Sequence, residues 1–127
     1  MGEYEWKSFS EVESAAASFG RGMKELGLTG RRNVVIFAET RAEWMVAAHA
    51  CFKQSLTIVT IYSTLGDDAI IHGINETEVD TVVTSFELLP KFRNILAKTP
   101  DVKNIVYMED QLKTPDVTGY KVPLFLL

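Results

Sequence analysis

Cysteine is nearly missing: Cys51 is the single one among 127 residues, which excludes an internal disulfide and fits a reducing compartment. Long apolar runs are missing too. None approaches the roughly 20 residues that cross a bilayer, and Met1 leads into Gly-Glu-Tyr-Glu rather than into a basic and then apolar leader. This segment is therefore not expected to insert into a membrane, and the cytosolic side is the expected location. A basic surplus is absent, since 13 Lys and Arg stand against 17 Asp and Glu for a net charge of -4. A nucleic-acid partner would need a basic stripe, which Arg31-Arg32 is too short to supply, so none is expected. Internal repeats and low-complexity tracts are absent as well.

What is present has the composition of a globular domain, 46% hydrophobic and 24% charged. A chain of this length can bury about two thirds of its unfolded surface, enough for one core. The informative stretch is Val34 to Trp44, where a continuous apolar run stops at Glu39-Thr40-Arg41 and a helix begins at once. Consecutive apolar positions suit a parallel strand buried on both faces. Thr40 and Glu43 have the spacing of a capping box.

The same pattern recurs along the chain. Residues 1–9 form an extended lead-in with Tyr4 and Trp6. A helix is expected from Ser10, boxed by Glu13, with Val12, Ala15, Ala16, Phe19, Met23 and Leu26 on one face and Gly27 as its stop. Strand Asn33 to Ala38 is followed by a helix from Ala42 to about Lys53 that presents Met45, Ala48 and Phe52 to one side. Strand Thr57 to Ile61 leads, through Tyr62-Ser63-Thr64, to a short helix with Thr64 and Asp67 in cap spacing, Ile70, Ile71 and Ile74 inward, and Asn75 at its end. Then come strand Thr81 to Thr84, a helix over about Phe86 to Lys98, and strand Asn104 to Tyr107. Residues 10–108 thus alternate α and β, while 109–127, with Pro115 and Pro123, reads as an irregular tail. Such alternation predicts a doubly wound, mostly parallel sheet of about four strands with helices on both faces.

In such a sheet, ligands sit outside the carboxyl ends of the strands. The candidate ligand-facing loops are Glu39, Thr40 and Arg41 after the first strand, Tyr62, Ser63 and Thr64 after the second, and Ser85 after the third. Arg41 beside a helix amino terminus offers an anion site, weighed against a plain cap and a surface arginine, which is preferred. Ser63-Thr64-Leu65-Gly66 has one glycine and no lysine, so turn and cap are preferred over a phosphate loop. Asp67 and Asp68 diverge by about 100 degrees on a helix and suit solvated first-turn acids better than a metal pair. His49, Cys51 and His72 match no zinc spacing. Cys51 in mid-helix reads as a small hydrophobe, and Trp44 and Phe52 as core or interdomain residues. Asn75-Glu76-Thr77 is a formal glycosylation triplet that counts only in secreted chains.

Glu39-Thr40-Arg41-Ala42-Glu43-Trp44, Cys51-Phe52-Lys53 and Ile61-Tyr62-Ser63-Thr64-Leu65-Gly66 resemble the long-chain acyl-CoA synthetases, or long-chain fatty acid CoA ligases, of the adenylate-forming superfamily. The resemblance runs from Tyr4 to Asp110 and is nearest to the animal branch that contains the arachidonate-preferring enzyme. It implies part of a larger N-terminal domain in a parent that uses ATP, Mg2+ and coenzyme A. That parent joins a fatty acid to coenzyme A, and in the family it often lies at endoplasmic reticulum, mitochondrial outer or peroxisomal membranes. Many animal members carry an anchor before this region. The family's Ser/Thr/Gly-rich loop ending in Pro-Lys-Gly, its adenine motif and its mobile C-terminal domain have no counterpart here. No catalytic, cofactor-binding or metal residue is therefore carried over, and the chain is expected to be scaffold whose partner is the remainder of the synthetase. Two alternatives are a self-contained flavodoxin-like or receiver-like binding module and an inactive truncated product.

Overall fold

A computed structural model describes residues 2–109, 120 and 122–126. The elements run α1 (Phe9–Glu25), β1 (Asn33–Phe37), α2 (Ala42–Lys53), β2 (Thr57–Thr60), α3 (Asp67–Glu76) and β3 (Thr81–Ser85). After these come a helical segment whose central turn is α4 (Phe92–Ile95), then β4 (Asn104–Met108) and β5 (Leu124–Leu126). All pairings are parallel and the order is β2-β1-β3-β4-β5. The α/β class, the parallel sheet and the helices on both faces agree with the sequence. The sheet nevertheless has five strands rather than four, because Leu124–Leu126 in the supposed irregular tail pairs with Ile105–Tyr107. Three residues are too few to show a period, so this strand is invisible to pattern reading. Pro115 lies outside the described residues.

The central strands β1 and β3 are buried on both faces, β1 as its apolar run Val34 to Phe37 requires, and β3 with Thr81, Thr84 and Ser85 buried beside Val82 and Val83. Val35, Phe37, Val82, Ile105 and Tyr107 meet Ile70 and Ile74 of α3 and Phe92 and Ile95 of α4 on one face. There Phe37 and Phe92 pack edge to face at 5.9 Å between centroids. On the other face Val34, Ile36, Val83, Val106 and Met108 meet Met23 of α1 and Ala47, Ala48 and Cys51 of α2. The connection stepping back from β1 to β2 and those stepping forward to β3 and β4 thus place their helices on opposite faces, as right-handed crossovers demand. Small residues let α1 and α2 approach closely: a Cβ added at Gly20 would lie 3.4 Å from the carbonyl oxygen of Ala50 and 3.1 Å from Gln54 Nε2.

Helix ends differ from the sequence pattern for identifiable reasons. Helix α1 is capped by Ser8, whose hydroxyl accepts from the Glu11 amide at 3.1 Å, and not by a Ser10–Glu13 box. Glu13 instead pairs with Lys53 of α2. No Thr40–Glu43 box forms: Arg41 holds the N-cap position without a side-chain bond, because its own guanidinium occupies the Glu43 carboxylate. Helix α3 starts after Gly66, not Thr64, since a turn closed by Leu65 N–H onto the Tyr62 carbonyl at 3.2 Å intervenes. It runs past Asn75, whose side-chain amide donates to the Lys98 carbonyl at 2.9 Å. The helix expected over Phe86 to Lys98 is broken into 3-10 turns at Leu89–Lys91 and Leu96–Lys98 around the single turn of α4, where Pro90 supplies no amide hydrogen. The expected inner face of α2 is also displaced. Ala47, Ala48 and Cys51 point inward, whereas Met45 is half-exposed and Phe52 is 63% exposed. The lead-in belongs to no helix or strand, with Tyr4 and Trp6 bare to solvent, and Phe9, expected in it, already belongs to α1.

Candidate functional site

Strand order reverses between β1 and β3, so the carboxyl ends of these strands form the crevice where a doubly wound sheet ordinarily holds ligands. Three of the groups singled out in the sequence, Glu39, Arg41 and Ser85, reach it. Glu39 leaves β1, and its Oε1 accepts a hydrogen bond from the Ser85 hydroxyl at 3.0 Å, joining the ends of β1 and β3. Its Oε2 is buried with no partner among the described residues, as is the hydroxyl of Thr84. Thr40, Arg41 and Tyr62 line an open cleft of ≈ 550 Å³ together with Ala38, Trp44, Met45, Thr60 and Ile61. Ser63 and Thr64 do not reach it. The loop after β2 directs Tyr62 outward, 81% exposed, and Thr64 is exposed before α3 begins.

Arg41 is the centre of this end of the sheet. Its Nε donates to Glu43 Oε2 at 2.9 Å, one terminal nitrogen lies 3.5 Å from Glu87 Oε2, and the other donates to the Glu109 carbonyl at 3.0 Å. The hydrogen bond to Glu43 is the main cause that raises the Arg41 pKa above its ordinary value, with the charges of Glu43, Glu87 and Glu39 adding to it against burial. The same bond holds Glu43 below the ordinary carboxylate range. A guanidinium with its fork engaged and three carboxylates nearby does not recruit an anion. Arg41, at the N-cap of α2, is a tie between strand ends. Glu87 was not legible as its partner, because nothing local in the sequence pairs positions 41 and 87.

The loop before α3 leads into Asp67 and Asp68 at the helix amino terminus, and Lys91 near it is directed to Asp67 at 3.8 Å. Acids already at the amino terminus and a cation engaged with one of them do not suit a polyphosphate. No three His, Cys, Asp or Glu side chains converge as a metal site among the described residues. Burial pushes the Cys51 thiol up to about 11, which suits packing and not nucleophilic attack.

Residues 1–124 match the model of the family described as AMP-binding enzyme. The chain belongs to that family. This AMP-binding family member is 42% identical over 110 residues to "Long chain acyl-CoA synthetase 8" of Arabidopsis thaliana, covering 87% of this chain and 15% of that protein. It is 36% identical over 106 residues to "Long-chain-fatty-acid--CoA ligase 2" of Schizosaccharomyces pombe, covering 84% of this chain and 15% of that one. The chain thus spans about a seventh of the length of these curated relatives. Among solved structures, the anthranilate CoA ligase AuaEII in complex with anthranoyl-AMP superposes with a TM-score of 0.75 at 22% identity. That match covers 78% of this chain and 19% of the ligase, and it shows a shared fold. No helix among the described residues is long and apolar enough to cross a membrane.

Proposed function

We propose that this chain is the scaffold part of an ATP-dependent long-chain fatty acid CoA ligase. In the whole enzyme a fatty carboxylate attacks the α-phosphorus of ATP, giving acyl-adenylate and releasing pyrophosphate. The thiol of coenzyme A then attacks the acyl carbon, giving the thioester and releasing AMP. The observation that supports this is the 42% identity to a long chain acyl-CoA synthetase sustained over 87% of the chain. The part played here is architectural: five parallel strands fix the crevice at the switch point, and Glu39–Ser85 and Arg41–Glu109 hold its rim. Glu39, Thr40, Arg41 and Tyr62 then shape the crevice wall without supplying acid, base or phosphate ligand, and Ser63 and Thr64 form the turn beside it. The segment works on the cytosolic side, with the remainder of the synthetase as its partner.

Strand order β2-β1-β3-β4-β5 is also that of flavodoxin-like modules. Such a module would need phosphate donors after β1, where Glu39 and the fully engaged Arg41 stand instead.

The test replaces the matched segment of Arabidopsis thaliana long chain acyl-CoA synthetase 8 with this whole chain, residues 1–127, and measures ATP-dependent formation of long-chain acyl-CoA. Activity well above that of the deletion variant is expected. A folded but inactive chimaera overturns the reading.

A further inference from the structure

A parallel sheet is ordinarily covered on both faces, yet among the described residues the cover of one face thins towards β5, where Phe125 is half-buried and Leu126 exposed. On that face helices α1 and α2 bury Val34 and Ile36 of β1, Val83 of β3 and Val106 and Met108 of β4. Towards β4 and β5 the cover ends in an open groove of ≈ 730 Å³, walled by Val12, Ala15, Phe19 and Leu26 of α1 and floored by Val106 and Phe125. The apolar stripe of α1 is only partly used: Ala16 and Met23 are buried, while Val12, Phe19 and Leu26 are half-exposed and Ala15 is exposed. Leu126 at the rim is 54% exposed. Val12 and Leu26 stand about 21 Å apart along the helix axis, at roughly 1.5 Å per residue, so the trough accommodates about four turns of a second helix.

The occupant can be argued from three observations. A wide and continuous apolar trough bounded by a helix and a strand face is the geometry that receives the apolar stripe of another helix. Around the groove stand Glu11, Glu25 and Glu43 against Lys7. Glu43 is engaged by Arg41, so the remaining charge favours Lys or Arg on the flanks of what docks. Finally, 85% of the plant relative's length lies outside the matched part, ample for such an element, whereas the helices among the described residues are already seated. We infer that the groove between α1 and β5 seats an amphipathic helix with basic flanks, contributed by the synthetase outside these 127 residues. The inference rests on the ligase reading above, and it makes the groove an interface inside the enzyme, not an acyl-chain site.

Hydroxyl-radical footprinting compares the isolated chain with the chimaera described above. Labelling of Phe19, Leu26 and Phe125 is expected to fall severalfold in the chimaera, with Tyr62 as an exposed reference. Ala15→Glu, at a position already open to solvent, should leave the melting temperature of the isolated chain unchanged and lower that of the chimaera. Unchanged labelling in a folded chimaera overturns the inference. So does protection that appears in the isolated chain as its concentration rises, which would make the occupant a second copy. An active chimaera with an open groove sinks the groove alone, and an inactive one with a protected groove sinks the ligase reading alone. A chimaera that does not fold overturns both.

Discussion

Arg41 donates to the main-chain carbonyl of Glu109 at 3.0 Å, and so ties the end of β1 to the end of β4 across the intervening β3. With Glu43 and Glu87 on its other nitrogens, the side chain makes a three-way joint that only a planar fork can make. Lysine has the charge but one nitrogen at the end of a flexible stem. Arg41→Lys should therefore cost about 1–2 kcal/mol, near the value of a charge-assisted hydrogen bond lost from a partly buried position. Urea unfolding of both proteins checks this, and an unchanged midpoint would show that the charge alone suffices.

The same joint gives the fold an acid-sensitive component. Glu43 is held below its ordinary value of 4.5 in the folded chain, first by the hydrogen bond from Arg41. A lowered carboxylate contributes stability that is present above its unfolded value and is lost as pH falls through its folded one. Arg41 shifts the other way, upward from an already high value, so its contribution is constant near neutrality. Stability should decline as the pH drops from about 4.5, and the decline should be shallower in Arg41→Met. Parallel acid-range curves for the two proteins would remove Glu43 from the account.

Helix ends offer a contrast between two residues in the same conformation. After α1, Gly27 sits at φ 89° while its amide and that of Leu28 bond back to Lys24 and Met23. After α2, Ser55 sits at φ 57° with the equivalent bonds to Phe52 and Cys51. Both are the six-residue helix stop that favours glycine. Gly27→Ala should destabilise by about 1–2 kcal/mol through left-handed strain, and Ser55→Gly should stabilise by less than about 1 kcal/mol, since glycine's greater unfolded freedom offsets part of the relief. Thermal melts decide it, and a destabilised Ser55→Gly would refute the strain account.

Two strands of the central sheet were legible as unbroken apolar runs, Val34-Val35-Ile36-Phe37 and Ile105-Val106-Tyr107, and β3 by its β-branched residues Thr81 to Thr84. Gly27 was legible for the same local reason. What escaped depends on contacts far apart in sequence. Ser8 and Ser10 offer the same cap spacing, and the choice follows from Glu13 being drawn to Lys53. Phe52 looked like core because it is aromatic and at helical spacing from Ala48, yet the neighbouring Ala47, Ala50 and Cys51 are small enough to let α1 approach, and their side of α2 is the one that packs. Likewise the pairing of Glu39 with Ser85 joins positions 46 apart. No periodicity carries that distance; only the strand order does.

Cys51 lies wholly buried under α1 and against the sheet, and burial alone lifts its thiol from 9.0 to about 11. Alkylation requires the thiolate, so the folded chain presents almost none of the reactive species in mildly alkaline buffer. The residue's accessibility is linked to the packing of α1 on α2, which also depends on the close approach at Gly20. A bulky Gly20→Leu should press against the Ala50 carbonyl and Gln54, part the two helices, and expose the thiol. Iodoacetamide labelling should then be slow in the wild type, tracking global opening as urea is added, and many-fold faster in Gly20→Leu below its unfolding transition. Fast labelling of the wild type in the absence of denaturant would mean that α1 opens locally without the rest of the domain. The helix pair would then be a hinged flap on the sheet, and not part of its core.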